Sequence, residues 1–162
     1  MRKQIKTADL CDDFIDVLRV VQPIGFKDYG ANKGFYGEIV TIKCFENNPL
    51  VRRTLSENGK GKVLVVDGGG SKKCALTGDN IAQLAFDNNW SGIIINGCIR
   101  DSEAIGKIAI GVKALATNPT KSGKKEDGEL NIPISFGEVT FNPGEYIYAD
   151  EDGIVVTNVK LH

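Results

Sequence analysis

Two short runs of consecutive apolar residues dominate the middle of the chain, and turn-forming residues follow each of them. Val63–Val66 precedes Asp-Gly-Gly-Gly-Ser, and Ile93–Ile95 precedes Asn-Gly. Continuous apolar runs of this length are typical of strands that are buried on both faces of a sheet. Between the runs, Ile81, Leu84 and Ala85 recur at helical spacing. The pattern therefore predicts a strand, a helix and a second strand, with the two strands parallel.

Other elements are predicted on both sides of this unit. Alternating apolar and polar residues predict a half-buried strand over 37–44, and Asn47-Asn48-Pro49 is typical of a capped helix start. Thr7 is expected to cap a first helix over 8–18, and a turn is expected at 34–37. Four further strands are predicted at 132–136, 139–141, 146–148 and 154–156.

The length and composition indicate a single α/β domain over residues 1–162. A chain of 162 residues can bury roughly 70% of its unfolded surface, so a normal hydrophobic core is expected. Lys and Arg number 20 against 21 Asp and Glu, which leaves no positive surplus for a nucleic-acid partner. No apolar run approaches the ~20 residues of a membrane span, and the first residues lack the apolar segment of a secretory signal. We therefore expect a cytoplasmic protein without a nucleic-acid or membrane partner.

The cysteines and the single histidine narrow the possible chemistry. Cys11, Cys44, Cys74 and Cys98 include no CxxC pair, so buried thiols are expected, with a zinc site or a redox pair as the remote alternative. His162 is the last residue and is expected to be frayed. Because no other histidine exists, Ser-His and Cys-His nucleophilic catalysis are excluded. Acid-base or metal chemistry must depend on carboxylates, Arg, Lys, Tyr and backbone amides.

Two loops allow more than one interpretation. The residues around Gly68–Gly70 match neither a Walker loop nor a dinucleotide fingerprint, so this segment is a tight turn or a loop that binds a small anion. The polar loop 118–127 contains Lys121, Lys124 and Lys125. It is either a solvated excursion or a source of positive charge beside an anionic substrate.

Two dipeptides are the candidate site residues. Ligands of parallel α/β sheets bind outside the carboxyl ends of the strands, where Gly78-Asp79 and Arg100-Asp101 are both expected. Asp79 could simply cap its helix, and Arg100-Asp101 could be an exposed ion pair. Alternatively, an Asp carboxylate suits Mg²⁺ or Mn²⁺, and an adjacent guanidinium could stabilise an enolate oxygen that develops on a 2-oxo acid.

The chain contains five motifs of recognisable sequence: CFENN at 44–48, VVDGGGS at 65–71, GCIRD at 97–101, FGEVTF at 136–141 and YADEDGI at 148–154. They resemble those of the RraA-like family, which includes the class II 4-hydroxy-4-methyl-2-oxoglutarate aldolases and the regulator of ribonuclease activity A. The similarity extends from about Thr7 to Val156. It implies a compact β/β/α fold of the phosphohistidine-swivelling-domain type, assembled as a ring-shaped homotrimer with sites between subunits.

The resemblance also implies a role for each candidate residue. The aldolase motif of the family is Gly-Asp, twenty residues and Arg-Asp, and twenty residues separate the two dipeptides here. By that match Asp101 would hold a divalent metal, Mg²⁺ or Mn²⁺, directly or through waters. Arg100 would bind the substrate and stabilise the pyruvate enolate. The amides of Gly78, Asp79, Asn80 and Ile81, with the Asp79 side chain, would hold the substrate carboxylate and metal-bound waters.

The implied reaction is cleavage of 4-hydroxy-4-methyl-2-oxoglutarate, a 2-oxo acid, to two pyruvates. Oxaloacetate decarboxylation is the expected secondary activity, because loss of CO₂ produces the same enolate. The alternative is a non-enzymatic regulator that binds and inhibits ribonuclease E. Members of that branch can lack the metal-binding Asp and the Gly-Asp pair, so their presence at Asp101 and at Gly78-Asp79 favours the enzyme.

Overall fold

The computed structural model describes residues 4–162, and over that range the chain forms a mixed α/β domain. Residues 1–3 of the predicted domain lie outside the described residues. The helices are α1 (Thr7–Phe14), α2 (Pro49–Leu55), α3 (Asp79–Asp87) and α4 (Ser102–Ile105), with a 3-10 turn at Ile15–Val17. The strands are β1 (Arg19–Val20), β2 (Lys27–Asp28), β3 (Phe35–Lys43), β4 (Lys62–Asp67), β5 (Ala75–Thr77), β6 (Gly92–Ile99), β7 (Gly111–Thr117), β8 (Glu129–Leu130), β9 (Ile134–Phe136), β10 (Val139–Phe141), β11 (Tyr146–Asp150) and β12 (Gly153–Thr157).

Ten strands form one sheet, whose centre is parallel and whose edges are antiparallel. The main path runs β1-β12-β11-β3-β4-β6-β7-β2, and β5 pairs with β6 while β8 pairs with β3. Strands β3, β4, β6 and β7 are parallel neighbours. The predicted parallel pairing of the two apolar runs is confirmed, since Val65 on β4 lies opposite Ile94 on β6.

Neighbouring residues of the central strands enter two different cores. Leu64 and Val66 of β4 pack with side chains of α2 and α3 on one face of the sheet. Val63 and Val65 pack on the other face, against the ribbon formed by β9 and β10. Because both of their faces are covered, β4 and β6 show no apolar-polar alternation. The ribbon, the sheet and the helices form three layers, which agrees with the expected β/β/α arrangement.

The first helix differs from its prediction at both ends. Helix α1 ends at Phe14, before the predicted end at residue 18, and its N-cap is Lys6 rather than Thr7. Thr7 lies inside the helix, where its amide donates to Oδ2 of Asp150 at 2.7 Å and its hydroxyl donates to Oδ1 at 2.6 Å. The Asp150 carboxylate of strand β11 therefore accepts the hydrogen bonds that Thr7 donates at the start of α1. No local sequence signal predicts that contact.

Two other local predictions were wrong in detail. Residues 34–37 do not form a turn, because β3 already begins at Phe35. Asn48 precedes α2 as predicted, but its side chain makes no capping hydrogen bond and instead donates to the carbonyl of Leu76 at 3.0 Å. The hydrogen bond to Leu76, which is distant in sequence, replaces the expected capping bond of Asn48.

The C-terminal residue is docked on the sheet rather than frayed. Nδ1 of His162 lies 2.8 Å from the hydroxyl oxygen of Tyr148, which also accepts a hydrogen bond from the amide of Leu161 at 2.7 Å. The His162 ring lies against Tyr36, with ring centroids 4.7 Å apart. These contacts hold the chain end against strands β3 and β11.

The remaining predictions are largely confirmed. Strands β3, β4 and β6 and helix α3 occur where they were expected, and β9 to β12 correspond to the four predicted C-terminal strands with shifted ends. Cys44, Cys74 and Cys98 are buried free thiols as predicted, whereas Cys11 is only partly buried. Burial raises the pKa of Cys44 to about 12. Across residues 4–162, no helix has the length and apolarity that a membrane span requires.

Candidate active site

Strand β5 aligns the two candidate dipeptides. It lies parallel to the end of β6, with Thr77 opposite Ile99, and the amide of Arg100 donates to the carbonyl of Thr77 at 2.9 Å. The residues that follow these partners, Gly78 and Arg100, therefore leave the sheet side by side. Helix α3 spans the segment between them and returns the chain to β6. The expected placement at one edge of the sheet is confirmed.

Gly78, Asp79 and Asp101 are in direct contact. The amide of Asp79 donates to Oδ2 of Asp101 at 3.1 Å. A Cβ at position 78 would lie 2.6 Å from that oxygen, so the carboxylate occupies space that only glycine leaves open. Asp101 itself has a φ of 58°, a left-handed conformation that Asp and Asn tolerate better than most residues. Both features fix the Asp101 carboxylate at the start of α3.

The start of α3 offers backbone donors to a ligand. The amide of Asn80 donates to Oδ1 of Asp79 at 2.8 Å. The amide of Ile81 donates to no group within residues 4–162. Unpaired amides at a helix start, together with the positive end of the helix dipole, bind carboxylates. Ile81 therefore presents its N–H as an anion donor.

A small cavity of about 60 Å³ lies at this helix start. Each residue that the resemblance singled out lines it, namely Gly78, Asp79, Asn80, Ile81, Arg100 and Asp101. A larger open cleft of about 770 Å³ adjoins the cavity, because Asp79, Asn80 and Asp101 line both. A substrate can therefore extend from the helix start into open space.

Positive side chains outnumber carboxylates around the small cavity. The carboxylates are those of Asp79 and Asp101, and the basic residues are Arg52, Arg100, Lys121 and Lys124. None of these four basic residues forms an ion pair within the part of the chain that the structure describes. The cavity is therefore suited to an anionic ligand.

The loop 118–127 is not merely a solvated excursion. It brings Lys121 and Lys124 to the cavity, which favours the interpretation that it supplies positive charge beside a substrate. Lys125 does not line the cavity and pairs with Asp127 at 3.5 Å.

The glycine segment after β4 is a turn and not an anion-binding loop. The amides of Gly68 and Gly70 both donate to the carbonyl of Asn96 at 3.1 Å. The amide of Gly69 donates to Oδ1 of Asp67 at 2.9 Å. Because these three amides already have acceptors inside the protein, they are not available to a phosphate or carboxylate.

Three polar residues of the cavity were not predicted as site residues or as a source of charge beside the substrate. Asn48 was interpreted as a helix cap and as the last residue of the CFENN motif, and Arg52 and Ser122 belong to no recognisable motif. The structure places Oδ1 of Asn48 3.4 Å from Nζ of Lys124, and it buries Ser122 to 4% exposure. Only the lysine content of the 118–127 loop gave a sequence signal for this side of the cavity.

The donor set of the cavity fits a hard divalent cation. Asp79 and Asp101 supply carboxylate oxygens, and Mg²⁺ typically uses one or two carboxylates and keeps several waters. Among the described residues there is no cluster of three or more His, Cys, Asp or Glu side chains that would form an all-protein cage. Asp101 is the better held of the two, since both its backbone conformation and its contact with Gly78 restrict it.

Comparison with known proteins finds relatives over nearly the whole chain. The model of the RraA-like family, described as Aldolase/RraA, matches residues 7–156. A proposed 4-hydroxy-4-methyl-2-oxoglutarate aldolase of Dechloromonas aromatica (strain RCB) is 56% identical over 160 residues, which covers 96% of this chain and 98% of the relative. A protein of the same name from Azotobacter vinelandii is 53% identical over 158 residues, covering 98% and 97%.

Two solved structures share the fold closely under different names. One is described as the S-adenosylmethionine:2-dimethylmenaquinone methyltransferase of Geobacillus kaustophilus, with a TM-score of 0.95, 49% identity and 97% coverage of both chains. The other is the RNA-processing inhibitor RraA of Thermus thermophilus, with a TM-score of 0.94, 38% identity and coverage of 99% and 96%. These relatives carry three different functional names, so the chemistry of the site must discriminate between them.

Proposed function

The chain belongs to the RraA-like family, and we propose that it is a metal-dependent aldolase that cleaves 4-hydroxy-4-methyl-2-oxoglutarate to two pyruvates. The observation that carries this proposal is the convergence of Gly78-Asp79 and Arg100-Asp101 on one small cavity at the start of α3. The names of the relatives from D. aromatica and A. vinelandii support the same activity.

In the proposed complex the 2-oxo acid end of the substrate binds at the start of α3. Its C1 carboxylate accepts a hydrogen bond from the amide of Ile81, which the helix dipole strengthens. The guanidinium of Arg100 lies along the same wall, where Nη1 is 3.4 Å from the carbonyl of Pro119. The planar fork of a guanidinium at this wall suits two oxygens of a bound carboxylate or enolate.

Asp101 would hold the divalent cation, directly or through waters, with Asp79 beside it. Mg²⁺ or Mn²⁺ bound there would draw electron density from the 2-oxo group of the substrate. Arg100 would stabilise the same oxygen as it gains negative charge, and a well-placed donor of this kind contributes roughly 3–4 kcal/mol.

Asp79 is the proposed base of the cleavage step. Its Oδ1 accepts the amide of Asn80, while its Oδ2 has no donor in the described part of the chain. Asp79 takes the proton of the C4 hydroxyl, whose oxygen electrons form the carbonyl of the first pyruvate as the C3–C4 bond breaks. The electron pair of that bond becomes the enolate of the second pyruvate. Arg100 stabilises its oxygen until C3 takes back the proton that Asp79 removed, which restores the Asp79 carboxylate.

Oxaloacetate decarboxylation is the proposed secondary activity. Loss of CO₂ leaves the electron pair on C3 and produces the same enolate, so Arg100 and Asp101 would act as they do in cleavage. No hydroxyl proton has to be removed in this reaction. The decarboxylation should therefore depend much less on Asp79 than the aldol cleavage does.

The other two names fit the cavity less well. S-adenosylmethionine carries a sulfonium cation at its reactive centre, and a cavity with two more positive than negative side chains disfavours it. Inhibition of a ribonuclease, the alternative that the resemblance implies, requires neither a metal nor the Arg100-Asp101 pair.

The proposed assembly is a homotrimer. Several large apolar side chains near the N-terminus are exposed in the single chain and are available for subunit contacts, namely Phe14, Ile15, Val17, Val20 and Ile24. Sedimentation equilibrium would give a mass close to three chains.

The test is pyruvate release from 4-hydroxy-4-methyl-2-oxoglutarate and from oxaloacetate with Mg²⁺ or Mn²⁺, against EDTA and a protein-free control that contains the metal. We expect metal-dependent release that falls about 100-fold or more in Asp101→Asn. Asparagine tolerates the left-handed conformation, so this variant removes the charge without adding backbone strain. Asp87→Asn, at the far end of α3, is the matched control and should keep full activity.

Absence of release above the protein-free background, from a folded protein with either metal, would reject the aldolase. Binding to a ribonuclease would then be the function to test.

A further inference from the structure

We propose that a cavity at the amino ends of the central strands, the amino-end cavity, binds a mononucleotide, with the phosphate at Lys60 and Lys160 and the base against the ring of His162. The cavity has a volume of about 980 Å³, within the usual range of ligand sites. No residue of the proposed aldolase lines it, so this inference is independent of the proposed function.

The amino-end cavity lies at the opposite end of the sheet from the candidate active site. Phe35 is the first residue of β3, and the starts of β4, β6 and β7 lie within two residues of Gly61, Ser91 and Ala109. The candidate active site follows the other ends of β5 and β6. Strand β4 has six residues, so roughly 17 Å of sheet separates the two places. A nucleotide and a 2-oxo acid can therefore be bound at the same time.

The side chains around the amino-end cavity carry positive charge. Its ionisable side chains are those of Tyr36, Lys60, Lys160 and His162, and no Asp or Glu among the described residues lines it. Neither lysine forms an ion pair within residues 4–162. Two ammonium groups without acidic partners match the double negative charge of a phosphate monoester.

The ring of His162 offers a face to a flat ligand. The residue is exposed and lies against Tyr36, with ring centroids 4.7 Å apart, and its Nδ1 is 2.8 Å from the hydroxyl oxygen of Tyr148. Burial, followed by the charge of Lys160, lowers the pKa of His162 below 6.5, so the ring is neutral at pH 7. A neutral aromatic ring in a fixed orientation favours stacking of a nucleotide base.

The wall beside Lys60 is open and is fixed by its own contacts. Trp90 packs on Gly59, where a Cβ would collide with the indole ring, and its Nε1 donates to the carbonyl of Glu57 at 3.0 Å. Gly61 has a φ of 74°, and a Cβ there would meet no atom within 4 Å. Because this wall is formed before a ligand arrives, the entropy cost of binding is low.

Polar side chains on the same wall suit the edge of a base. Asn89 and Ser91 flank Trp90 and line the amino-end cavity. An Asn amide and a Ser hydroxyl both donate and accept hydrogen bonds, so they can pair with the ring nitrogens and exocyclic groups of a base. The cavity thus offers partners to both parts of a nucleotide.

Two residues of the cavity report binding without a label. Trp90 is the single tryptophan of the chain and His162 is the single histidine. We expect AMP to change the Trp90 fluorescence in a saturable way, with excitation at a wavelength that adenine does not absorb. The same titration should shift the imidazole protons of His162 in NMR spectra. AMP should bind about tenfold or more tightly than adenosine, ribose 5-phosphate or inorganic phosphate, each of which presents only part of the ligand.

Lysine variants test the position of the phosphate. At about pH 8, where His162 is neutral, the double variant Lys60→Gln, Lys160→Gln should weaken AMP binding about tenfold and leave adenosine binding unchanged. The matched control is Lys72→Gln, Lys73→Gln, which removes the same charge from exposed lysines outside the cavity. This control should bind AMP like the wild type.

Every other outcome would overturn the inference. If neither reporter responds to ~10 mM AMP, the cavity is not a nucleotide site. Equal affinity for inorganic phosphate and AMP would mean that the base makes no contact, and equal affinity for adenosine and AMP would mean that the phosphate makes none. AMP binding that the double variant retains in full would exclude the lysines. These titrations contain neither metal nor 2-oxo acid, so their results do not depend on whether the protein is an aldolase.

Discussion

Gly78 lies so close to Asp101 that a Cβ at position 78 would be 2.6 Å from the carboxylate Oδ2. The φ of Gly78 is −123°, an ordinary extended value that any residue adopts. Glycine is therefore required here by the contact and not by the backbone conformation. The position of the Asp101 carboxylate thus depends on the absence of a side chain at position 78.

Replacement of this glycine should damage activity more than stability. In Gly78→Ala the new methyl group displaces the Asp101 carboxylate, and a misplacement of this kind typically costs about 100-fold in rate. The displaced group is an exposed side chain, so the free energy of unfolding should change by less than about 1 kcal/mol. Steady-state kinetics and urea unfolding measure the two effects. Gly34→Ala, whose Cβ would meet nothing closer than 4.0 Å, is the control. An active Gly78→Ala enzyme would contradict the proposed role of Asp101.

Substitution of Asp79 should separate the two reactions. Asp79→Asn removes the proposed base, so cleavage of 4-hydroxy-4-methyl-2-oxoglutarate should fall about 100-fold or more. Oxaloacetate decarboxylation needs no such base and should fall less than about tenfold. Parallel kcat/KM measurements on both substrates provide the comparison. Equal losses for both substrates would show that Asp79 acts in binding rather than in proton transfer.

The guanidinium of Arg100 should not be replaceable by an ammonium group. Lysine keeps the charge, but its compact ammonium group lacks the rigid planar pair of N–H donors with which a guanidinium can bind two oxygens side by side. Arg100→Lys should therefore lower kcat/KM about 10- to 100-fold for both substrates, and Arg100→Met about 1000-fold. Arg53→Lys on helix α2 serves as control, since Arg53 does not line the cavity. Full activity of Arg100→Lys would mean that charge alone suffices.

The contact between Thr7 and Asp150 should make stability depend on pH in acid. Burial tends to raise the pKa of Asp150, but hydrogen bonds from the Thr7 hydroxyl and from the amides of Thr7, Asp152 and Gly153 outweigh it and hold the pKa below 3.8. The ionised form is thus favoured in the folded protein. Its contribution is present above about pH 4 and is lost as the pH falls through the lowered pKa.

Thr7→Val tests this contact. The variant should lose about 1–3 kcal/mol of unfolding free energy at pH 7, because a buried hydrogen bond to a charged group disappears. Urea unfolding at pH 7 and pH 3 should show a smaller difference from the wild type at the lower pH. The exposed Thr140→Val should change stability little at either pH. A difference that is constant with pH would indicate lost packing instead.

The docked C-terminus predicts a histidine with a lowered pKa. Burial, followed by the positive charge of Lys160, lowers the pKa of His162 below 6.5. The folded state thus favours the neutral ring, so docking adds stability above about pH 6.5 and loses it as the pH falls. His162 is the single histidine, and its imidazole protons give one titration curve by NMR. Lys160→Gln should raise the pKa toward 6.5, and a wild-type value at or above 6.5 would contradict docking in solution.

Much of the fold could be predicted from local patterns. Strands β4 and β6 and helix α3 follow from apolar runs and helical spacing, because burial on two faces or on one stripe determines which residues are apolar. Strand β5 could not be predicted, because a strand of three residues is too short to show a periodic pattern of apolar and polar residues. The Thr7 cap was wrong, and Asn48 occupies its predicted cap position without a capping hydrogen bond, because Asp150 and Leu76, distant in sequence, offered partners that local patterns do not reveal.

The sequence by itself determined which chemical groups are available and in what order they occur. It supplied Gly78-Asp79 and Arg100-Asp101 at the ends of predicted elements, and lysines in a loop. Only the tertiary structure decided that these groups meet. The register of β5 on β6 places Gly78 beside Arg100, and the hydrogen bonds of the 118–127 loop bring Lys121 and Lys124 to the same cavity. The register of β5 and the anchoring of the loop depend on hydrogen bonds between backbone groups that are distant in sequence. The spacing of side chains along the chain does not determine which of these bonds form.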